Sequence, residues 1–292
     1  MPLSPPVTPA CPVCGGPGAI WGRTPSSPGF RSIELRSCRA CGQVWKIDLP
    51  ARPQELAAQA LARDFALADG RLVLEQLPRE VAAASGLRVL DVGCWDGALL
   101  QNLPAAWLRH GVEPHPQAAR QARAQGVTVF EQTLETAPLA PGFYDLVLVM
   151  DVLEHLEEPA AALRKLAQAL APGGYLVGLT GNAATPAARV WRGCWYYCNY
   201  AEHVGFFSPA SLQRALEQAG LRVLSLRKCA HHAARLSVTW DRIVRRLRRR
   251  ATAHEGALPL PHSGWDLLRL AMSRLFRGRD HLLVVARKPA RP

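Results

Sequence analysis

The chain has 292 residues, of which 49% are hydrophobic and 20% are charged, and its formal net charge at pH 7 is +12. This composition excludes a wholly disordered chain, and the length suffices for one large domain or two modest ones. No stretch reaches the roughly 18 consecutive apolar residues of a membrane-spanning helix. The N-terminal segment has no charged region followed by an apolar run, so we expect no signal peptide. We therefore expect a cytoplasmic protein whose eight cysteines are reduced thiols or metal ligands.

The first 50 residues are predicted to form a zinc-ribbon module. Two Cys-x-x-Cys pairs, Cys11 with Cys14 and Cys38 with Cys41, are separated by 23 residues, and a glycine follows each pair. Four thiolates at this spacing can close a tetrahedral site, for which zinc is favoured over iron. Such a site leaves no open coordination position, so the expected metal is structural. The alternative, four unliganded thiols, would leave a short segment with few apolar residues unsupported.

Residues 51–85 are predicted to be a helical connector, and residues 86–292 an α/β domain. In this domain short apolar strands alternate with helices, which is typical of a doubly wound, mostly parallel sheet, here of seven strands. The predicted strands lie at 87–93, 109–114, 127–130, 143–153, 175–180, 221–228 and 281–288. The predicted helices lie at 96–109, 115–126, 159–174 and 208–220, and Ser208 is expected to cap the last one.

A basic segment, 231–280, interrupts this alternation before the last strand. It is predicted to contain two amphipathic helical stretches, and it holds eleven arginines against four acidic residues. Three interpretations are open: packing against the domain or a second subunit, contact with an anionic membrane surface, or contact with RNA. A membrane contact would place the protein at the inner membrane face and would suit a lipid-linked acceptor.

The string LRVLDVGCWDG combines an acidic residue, two glycines and the start of a helix at the tip of a buried strand. Gly93 and Gly97 allow the backbone to approach a ligand closely. Asp91 would repel a phosphate and instead suits a cationic amino group. Glu113 follows the next strand, where a carboxylate can accept both ribose hydroxyls. Together these residues indicate a nucleoside-like ligand that carries an ammonium group.

These motifs resemble those of the class I S-adenosylmethionine-dependent methyltransferases, in particular the subgroup of ubiquinone-pathway-like O-methyltransferases. The resemblance extends from residue 88 to about 224 and returns in the last strand. The strings that carry it are VLDVGCWDG, GVEPHP, GVTVFEQTLE, FYDLVLVMDVLEHLEEP, LRKLAQALAPGGYLVGLTGN, EHVGFFSPASLQRALEQAGL and LLVVARKP. It implies a Rossmann-like fold and S-adenosyl-L-methionine as the cofactor.

The resemblance also implies how the cofactor would be held. The implied contacts are Asp91, Gly93 and Gly97 at the methionine end, Glu113 at the ribose, Thr133 and Leu134 beside the adenine, and Met150 and Asp151 on the pocket floor. The family usually has glycine where this chain has Trp95. We therefore expect that Trp95 either takes an ordinary φ or points its ring away from the cofactor.

Two histidines are candidates for a general base, which is useful when the methyl acceptor is a hydroxyl group. His155 follows the fourth strand of the predicted sheet, and His203 lies in a loop expected to cover the substrate. For both, a purely structural role in loop packing is the alternative. Asp151 and Glu154 are expected to orient a histidine or to bind the acceptor. The aromatic stretch 190–200 is expected either to line the acceptor pocket or to form a hydrophobic lid.

The leading interpretation is a methyltransferase that acts at oxygen on a small molecule or glycoconjugate. An RNA base methyltransferase is the first alternative: the basic charge and the zinc module favour it, whereas the sequence has no NPPY-type motif for exocyclic amines. The second alternative is a zinc-containing nucleic-acid-binding protein with an inactive methyltransferase fold. The sequence does not indicate the oligomeric state.

Overall fold

The computed structural model describes residues 10–24, 32–49, 70–200, 202–230 and 279–290. Residues 51–69 of the predicted helical connector and nearly all of the basic segment 231–280 lie outside these described residues, so their predicted roles stay predictions. Among the described residues, no helix is both long enough and apolar enough to cross a bilayer.

A small four-stranded sheet lies at the N-terminal end of the chain. Its first three strands are β1 (Gly18–Arg23), β2 (Glu34–Cys38) and β3 (Val44–Lys46), each antiparallel to the next. Its fourth strand comes from the larger domain and is introduced below as β9. The predicted ribbon therefore does not complete its sheet from its own residues.

The larger sheet has seven strands. In chain order they are β4 (Arg88–Val92), β5 (Leu108–Val112), β6 (Thr128–Phe130), β7 (Tyr144–Met150), β8 (Leu170–Gly181), β10 (Arg222–Cys229) and β11 (His281–Arg287); the two-residue β9 (Gly205–Phe206) joins the small sheet. Their spatial order is β10-β11-β8-β7-β4-β5-β6. The five strands from β8 to β6 are parallel, whereas β11 is antiparallel to both of its neighbours. The predicted doubly wound, mostly parallel sheet is confirmed.

The strand order places the candidate site. Beginning with β4, the chain builds β5 and β6 on one side and then crosses back to place β7 and β8 on the other side. Ligands of such sheets bind at the carboxyl ends of the strands, where the order reverses. That edge carries the residues that follow β4, β5, β7 and β8, together with the first residue of the antiparallel β11.

Short helices connect these strands. They are α1 (Arg79–Ala82), α2 (Ala98–Gln101), α3 (Pro116–Ala124), α4 (Pro159–Ala169), α5 (Pro186–Trp191) and α6 (Pro209–Gln218), and residues 70–76 are also helical. As predicted, Ser208 caps α6: its hydroxyl accepts a hydrogen bond from the backbone of Ser211.

Two of the predicted helices are too long. The helix expected over 96–109 ends at Gln101, because Pro104 follows shortly and Leu108 already belongs to β5. The helix expected over 159–174 ends at Ala169. Leu170 there pairs with Tyr144 of β7, so β8 begins five residues before the predicted strand.

Candidate active site

The tip of β4 forms the first half of the site. Asp91 is buried in the middle of the sheet, where its backbone lies between Gly111 of β5 and Leu148 of β7. The chain then turns through Gly93 and Gly97, whose φ values of 72° and 82° lie in the left-handed region that favours glycine. α2 begins directly after this turn, and the N–H of its first residue, Ala98, donates to Oδ1 of Asp96 at 3.1 Å.

Glu113 forms the second half of the site, directly beyond β5. Its side chain is buried, and its two oxygens accept hydrogen bonds from the backbone N–H groups of Trp95 at 3.0 Å and His115 at 2.8 Å. Burial raises the pKa of this carboxyl group, and the two backbone hydrogen bonds oppose that rise. Each oxygen retains a lone pair, so the carboxylate fits the two hydroxyls of a ribose.

Trp95 has the left-handed φ of 48°, so the first expectation for it, an ordinary φ, is wrong. This conformation lets its amide reach Glu113, and it costs a non-glycine residue roughly 1–2 kcal/mol. The indole ring lies beside the imidazole of His115, with 5.5 Å between the ring centroids. A strained aromatic residue is therefore held directly beside the carboxylate predicted to bind the ribose.

The other predicted cofactor contacts lie in two places. Thr133 and Leu134 follow β6; Leu134 is buried, whereas Thr133 is exposed and its carbonyl accepts hydrogen bonds from the loop that follows. Met150 is half-buried at the end of β7, beside the tip of β4. Their contacts with the cofactor stay predictions.

Another buried carboxylate lies in the turn after β7, on the side of the site where the sequence predicts the acceptor. Glu154, in the short 3₁₀ turn Leu153–His155 after β7, is completely buried, and burial raises its pKa. Its oxygens accept hydrogen bonds from the hydroxyl of Thr180 at 2.7 Å and from the phenol of Tyr197. Glu154 therefore orients Tyr197 rather than contacting solvent.

The two candidate histidines lie together, with ring centroids 4.9 Å apart. Nδ1 of His155 lies 3.1 Å from the carbonyl oxygen of Glu202, and Nδ1 of His203 lies 3.0 Å from that of Tyr197. Because a carbonyl only accepts, each Nδ1 carries the proton and each Nε2 is the basic nitrogen. Burial, followed by the charge of His155, lowers the pKa of His203 to about 3. His155 is half-buried and thus more accessible.

Asp151 has a left-handed φ of 52° immediately after β7. Its Oδ1 lies 3.8 Å from Nε2 of His281, and Nδ1 of His281 lies 3.2 Å from Oδ1 of Asp280. His281 is not among the predicted site residues, although a histidine that opens the largely apolar β11 is a recognisable signal. Because β11 is antiparallel, its first residue reaches the same edge as the ends of the parallel strands.

The aromatic stretch 190–200 packs as the predicted hydrophobic lid, whereas its role in lining an acceptor pocket stays a prediction. Trp195 and Tyr197 are buried in a cluster with Phe206, as expected of a hydrophobic lid. Tyr196 and Tyr200 are only half-buried. The buried residues pack and the half-buried ones are available to line a pocket.

Cys11, Cys14, Cys38 and Cys41 converge, and their four sulfur atoms all lie within 4.8 Å of one another. The Sγ atoms of Cys11 and Cys41 are 3.6 Å apart, and those of Cys14 and Cys38 are 3.4 Å apart. A tetrahedral site with Zn–S bonds of about 2.3 Å requires sulfur atoms roughly 3.8 Å apart. Backbone N–H groups also donate to sulfur, for example that of Gln43 to Cys41. The donor set thus fits one structural zinc ion.

The comparisons with known proteins agree with this geometry. A family model described as a methyltransferase domain matches residues 36–226. The chain belongs to the S-adenosylmethionine-dependent methyltransferases. The family and the enzyme class expected from the sequence are therefore confirmed for this methyltransferase.

Two curated relatives are described as ubiquinone biosynthesis O-methyltransferases. That of Aeromonas salmonicida is 34% identical over 153 residues, which cover 47% of this chain and 64% of the relative. That of Xanthomonas euvesicatoria is 31% identical over 213 residues, which cover 68% of this chain and 83% of the relative. The match spans less than two thirds of the first relative's length, so it does not identify the methyl acceptor of this methyltransferase.

A solved structure supports the fold. Phosphoethanolamine N-methyltransferase 2 of Haemonchus contortus, in complex with phosphomonomethylethanolamine and S-adenosylhomocysteine, aligns with a TM-score of 0.59. The sequence identity is 16%, and the alignment covers 76% of this chain and 52% of that chain. At this identity the likeness shows the Rossmann-like fold alone.

Proposed function

We propose that this methyltransferase transfers a methyl group from S-adenosylmethionine to a hydroxyl group of a small molecule or glycoconjugate. The observation that carries the proposal is the buried Glu113 carboxylate, which two backbone amides hold beside the turn from Gly93 to Gly97. The two O-methyltransferase relatives support oxygen as the acceptor atom.

The cofactor would lie across the carboxyl ends of β4 and β5. Asp91, Gly93 and Gly97 would hold its methionine end and Glu113 its ribose, with Thr133, Leu134 and Met150 around the adenine and the pocket floor. When bound, the cofactor supplies a methyl carbon that its sulfonium group activates toward displacement. Two buried carboxylates fit a ligand with a cationic amino group and ribose hydroxyls, and they disfavour a diphosphate.

The acceptor would bind between the cofactor and the two histidines. A pKa of about 3 makes His203 a poor base at neutral pH, because it rarely takes up a proton there. We therefore assign proton removal from the acceptor hydroxyl to Nε2 of His155 and a positioning role to His203. Asp151, at the end of β7 and close to His281, would fix the acceptor or stabilise a protonated histidine.

The four cysteines would bind one structural zinc ion. All four ligands come from the protein, so the ion would support the fold and leave the methyl transfer to the other site. The cysteines lie in the module that supplies β1, β2 and β3.

Calorimetry with S-adenosylmethionine tests the cofactor site. We expect Glu113→Ala to weaken binding by about 10- to 100-fold, since it removes hydrogen bonds to a charged group. Glu217→Ala, on the exposed face of α6, is the matched control and should bind like the wild type. Equal affinities of Glu113→Ala and the wild type would refute the ribose assignment.

Transfer of a labelled methyl group tests the acceptor class. The wild type and His155→Gln would be incubated with separate sets of phenolic, sugar-containing and RNA acceptors. We expect label in the phenolic or sugar set, and a loss of about 10²–10⁴-fold in His155→Gln. Label in the RNA set alone would favour the alternative of an RNA base methyltransferase.

A further inference from the structure

We propose that the four-cysteine module positions the loop 202–208, and His203 with it, so that metal binding at the cysteines controls the order of the acceptor pocket but not the affinity for the cofactor. The proposal deepens the proposed function and rests on it for the identity of the two pockets. We call residues 202–208 the docked loop.

The docked loop is bonded to the module through its backbone. Its strand β9 pairs with β3: Val44 lies opposite Phe206, and Trp45 lies opposite Gly205. The N–H of Lys46 also donates to the carbonyl of Val204 at 2.9 Å. The loop that contains His203 therefore supplies the fourth strand of the cysteine module's sheet.

The same loop is bonded to the active site on its other side. The N–H of Val204 donates to the carbonyl oxygen of Glu154 at 2.7 Å, and the carbonyl oxygen of Glu202 contacts the ring of His155. His203 lies between Glu202 and Val204 in the chain, and the centroid of its ring is 4.3 Å from that of Tyr197. A shift of β3 would thus be transmitted to the histidine pair.

The side chain of Lys46 attaches the module to Tyr200, two residues before the docked loop. The chain has only four lysines, and this one is 5% exposed, with its Nζ donating to the carbonyl oxygen of Tyr200 at 2.7 Å. Burying an ammonium group is costly unless it is hydrogen-bonded. The residue therefore makes a specific contact at the start of the segment that leads into the docked loop.

The metal ligands themselves touch the far end of the docked loop. The hydroxyl of Ser208, which also caps α6, donates to the carbonyl oxygen of Cys41 at 3.1 Å. Cys11, Cys41 and Trp45 belong to the same buried cluster as Phe207 and Leu212. Because so small a module cannot hold its shape by apolar contacts alone, loss of the metal would loosen the β3–β9 pairing and the contacts of Lys46 and Ser208.

In the described part of the chain, Val92 and Val112 share the buried cluster of the cysteines, but Glu113 and the turn after β4 make no hydrogen bond to the module. Glu113 is held by Trp95 and His115, and the turn after β4 packs on Val152 and α3. Metal loss should therefore disturb the acceptor side and leave the cofactor side intact. If the metal instead stabilised the whole fold, its loss would disturb both sides.

Hydrogen exchange of the full-length protein, with its zinc content measured, tests the proposal. After zinc is removed with a chelator, we expect exchange of the docked loop to rise about tenfold or more, since its hydrogen bonds open locally. Peptides over 88–113 should keep their protection, and the dissociation constant for S-adenosylmethionine should stay within about twofold. A docked loop equally protected with and without zinc would overturn the proposal, as would purified protein that holds no metal yet protects this loop.

A lysine variant keeps the test decisive if metal removal unfolds the chain. Lys46→Met should retain zinc and cofactor binding but show faster exchange of the docked loop. Lys165→Met is the matched control, because its Nζ also donates to a backbone carbonyl, that of Glu135, far from the module. Zinc-bound Lys46→Met with wild-type exchange would overturn the proposal. Absence of cofactor binding in every sample would instead refute the proposed function alone.

Discussion

The phenol of Tyr197 donates a hydrogen bond to the completely buried carboxylate of Glu154. The ring of Tyr197 also lies directly on Gly181 at the end of β8, where a Cβ atom would clash with it. The residue is thus fixed at both its polar tip and its face. The ring of Tyr197 also packs against that of His203, with 4.3 Å between the ring centroids.

We expect Tyr197→Phe to reduce the free energy of unfolding by about 1–3 kcal/mol, because Glu154 would lose one of its two hydroxyl donors in a buried site. Urea denaturation at pH 7 measures this change. Tyr175→Phe, in β8 of the same sheet, is the matched control and should stay within about 0.5 kcal/mol of the wild type, since the face of its ring contacts Arg287. A Tyr197→Phe protein as stable as the wild type would show that the bond contributes nothing.

The fold and the geometry of the proposed cofactor half of the site could be predicted from the sequence because they depend on local patterns; the cofactor contacts themselves stay a proposal. The string LRVLDVGCWDG contains the strand, the left-handed glycines and the helix start in eleven residues. Glu113 follows one strand later, at a spacing that the sheet geometry dictates. The spacing of the two Cys-x-x-Cys pairs likewise predicts that the four cysteines converge.

The acceptor half could be predicted only in part because it depends on contacts between distant residues. His155 and His203 were candidates separately, but their proximity arises because Val204 bonds to the turn that contains both Glu154 and His155. His281 opens the antiparallel strand β11, more than 70 residues after His203 in the chain. The pairing of β3 with β9 has no signal in local periodicity, because β9 is only two residues long.

The backbone of Trp95 supports a second prediction. Its φ of 48° is tolerated by glycine and strongly disfavoured by β-branched residues. We expect Trp95→Val to be less stable than Trp95→Gly by about 1–2 kcal/mol, although valine buries more apolar surface than glycine. Urea denaturation of both variants gives the difference. The reverse order of stability would mean that the backbone at this position relaxes to an ordinary φ.

Burial of His203 supports a third prediction, which concerns acid stability. Its pKa is lowered from 6.5 to about 3 in the folded protein, chiefly by burial and then by His155 and Lys46, while its bond to the Tyr197 carbonyl and the charge of Asp151 oppose the shift. Between these two values the unfolded chain binds a proton that the folded chain does not. The stabilising contribution of neutral His203 is therefore complete above pH 6.5 and is lost as the pH falls toward 3.

His203→Asn removes this titration while keeping an N–H donor for the carbonyl of Tyr197. Unfolding free energies at pH 7 and pH 5, measured at equal zinc content, should fall by about 2 kcal/mol more in the wild type than in the variant. Because both proteins share every other titrating group, the difference isolates His203. Equal losses in the two proteins would mean that His203 is protonated in the folded state by pH 5, and that it is a stronger base than its burial implies.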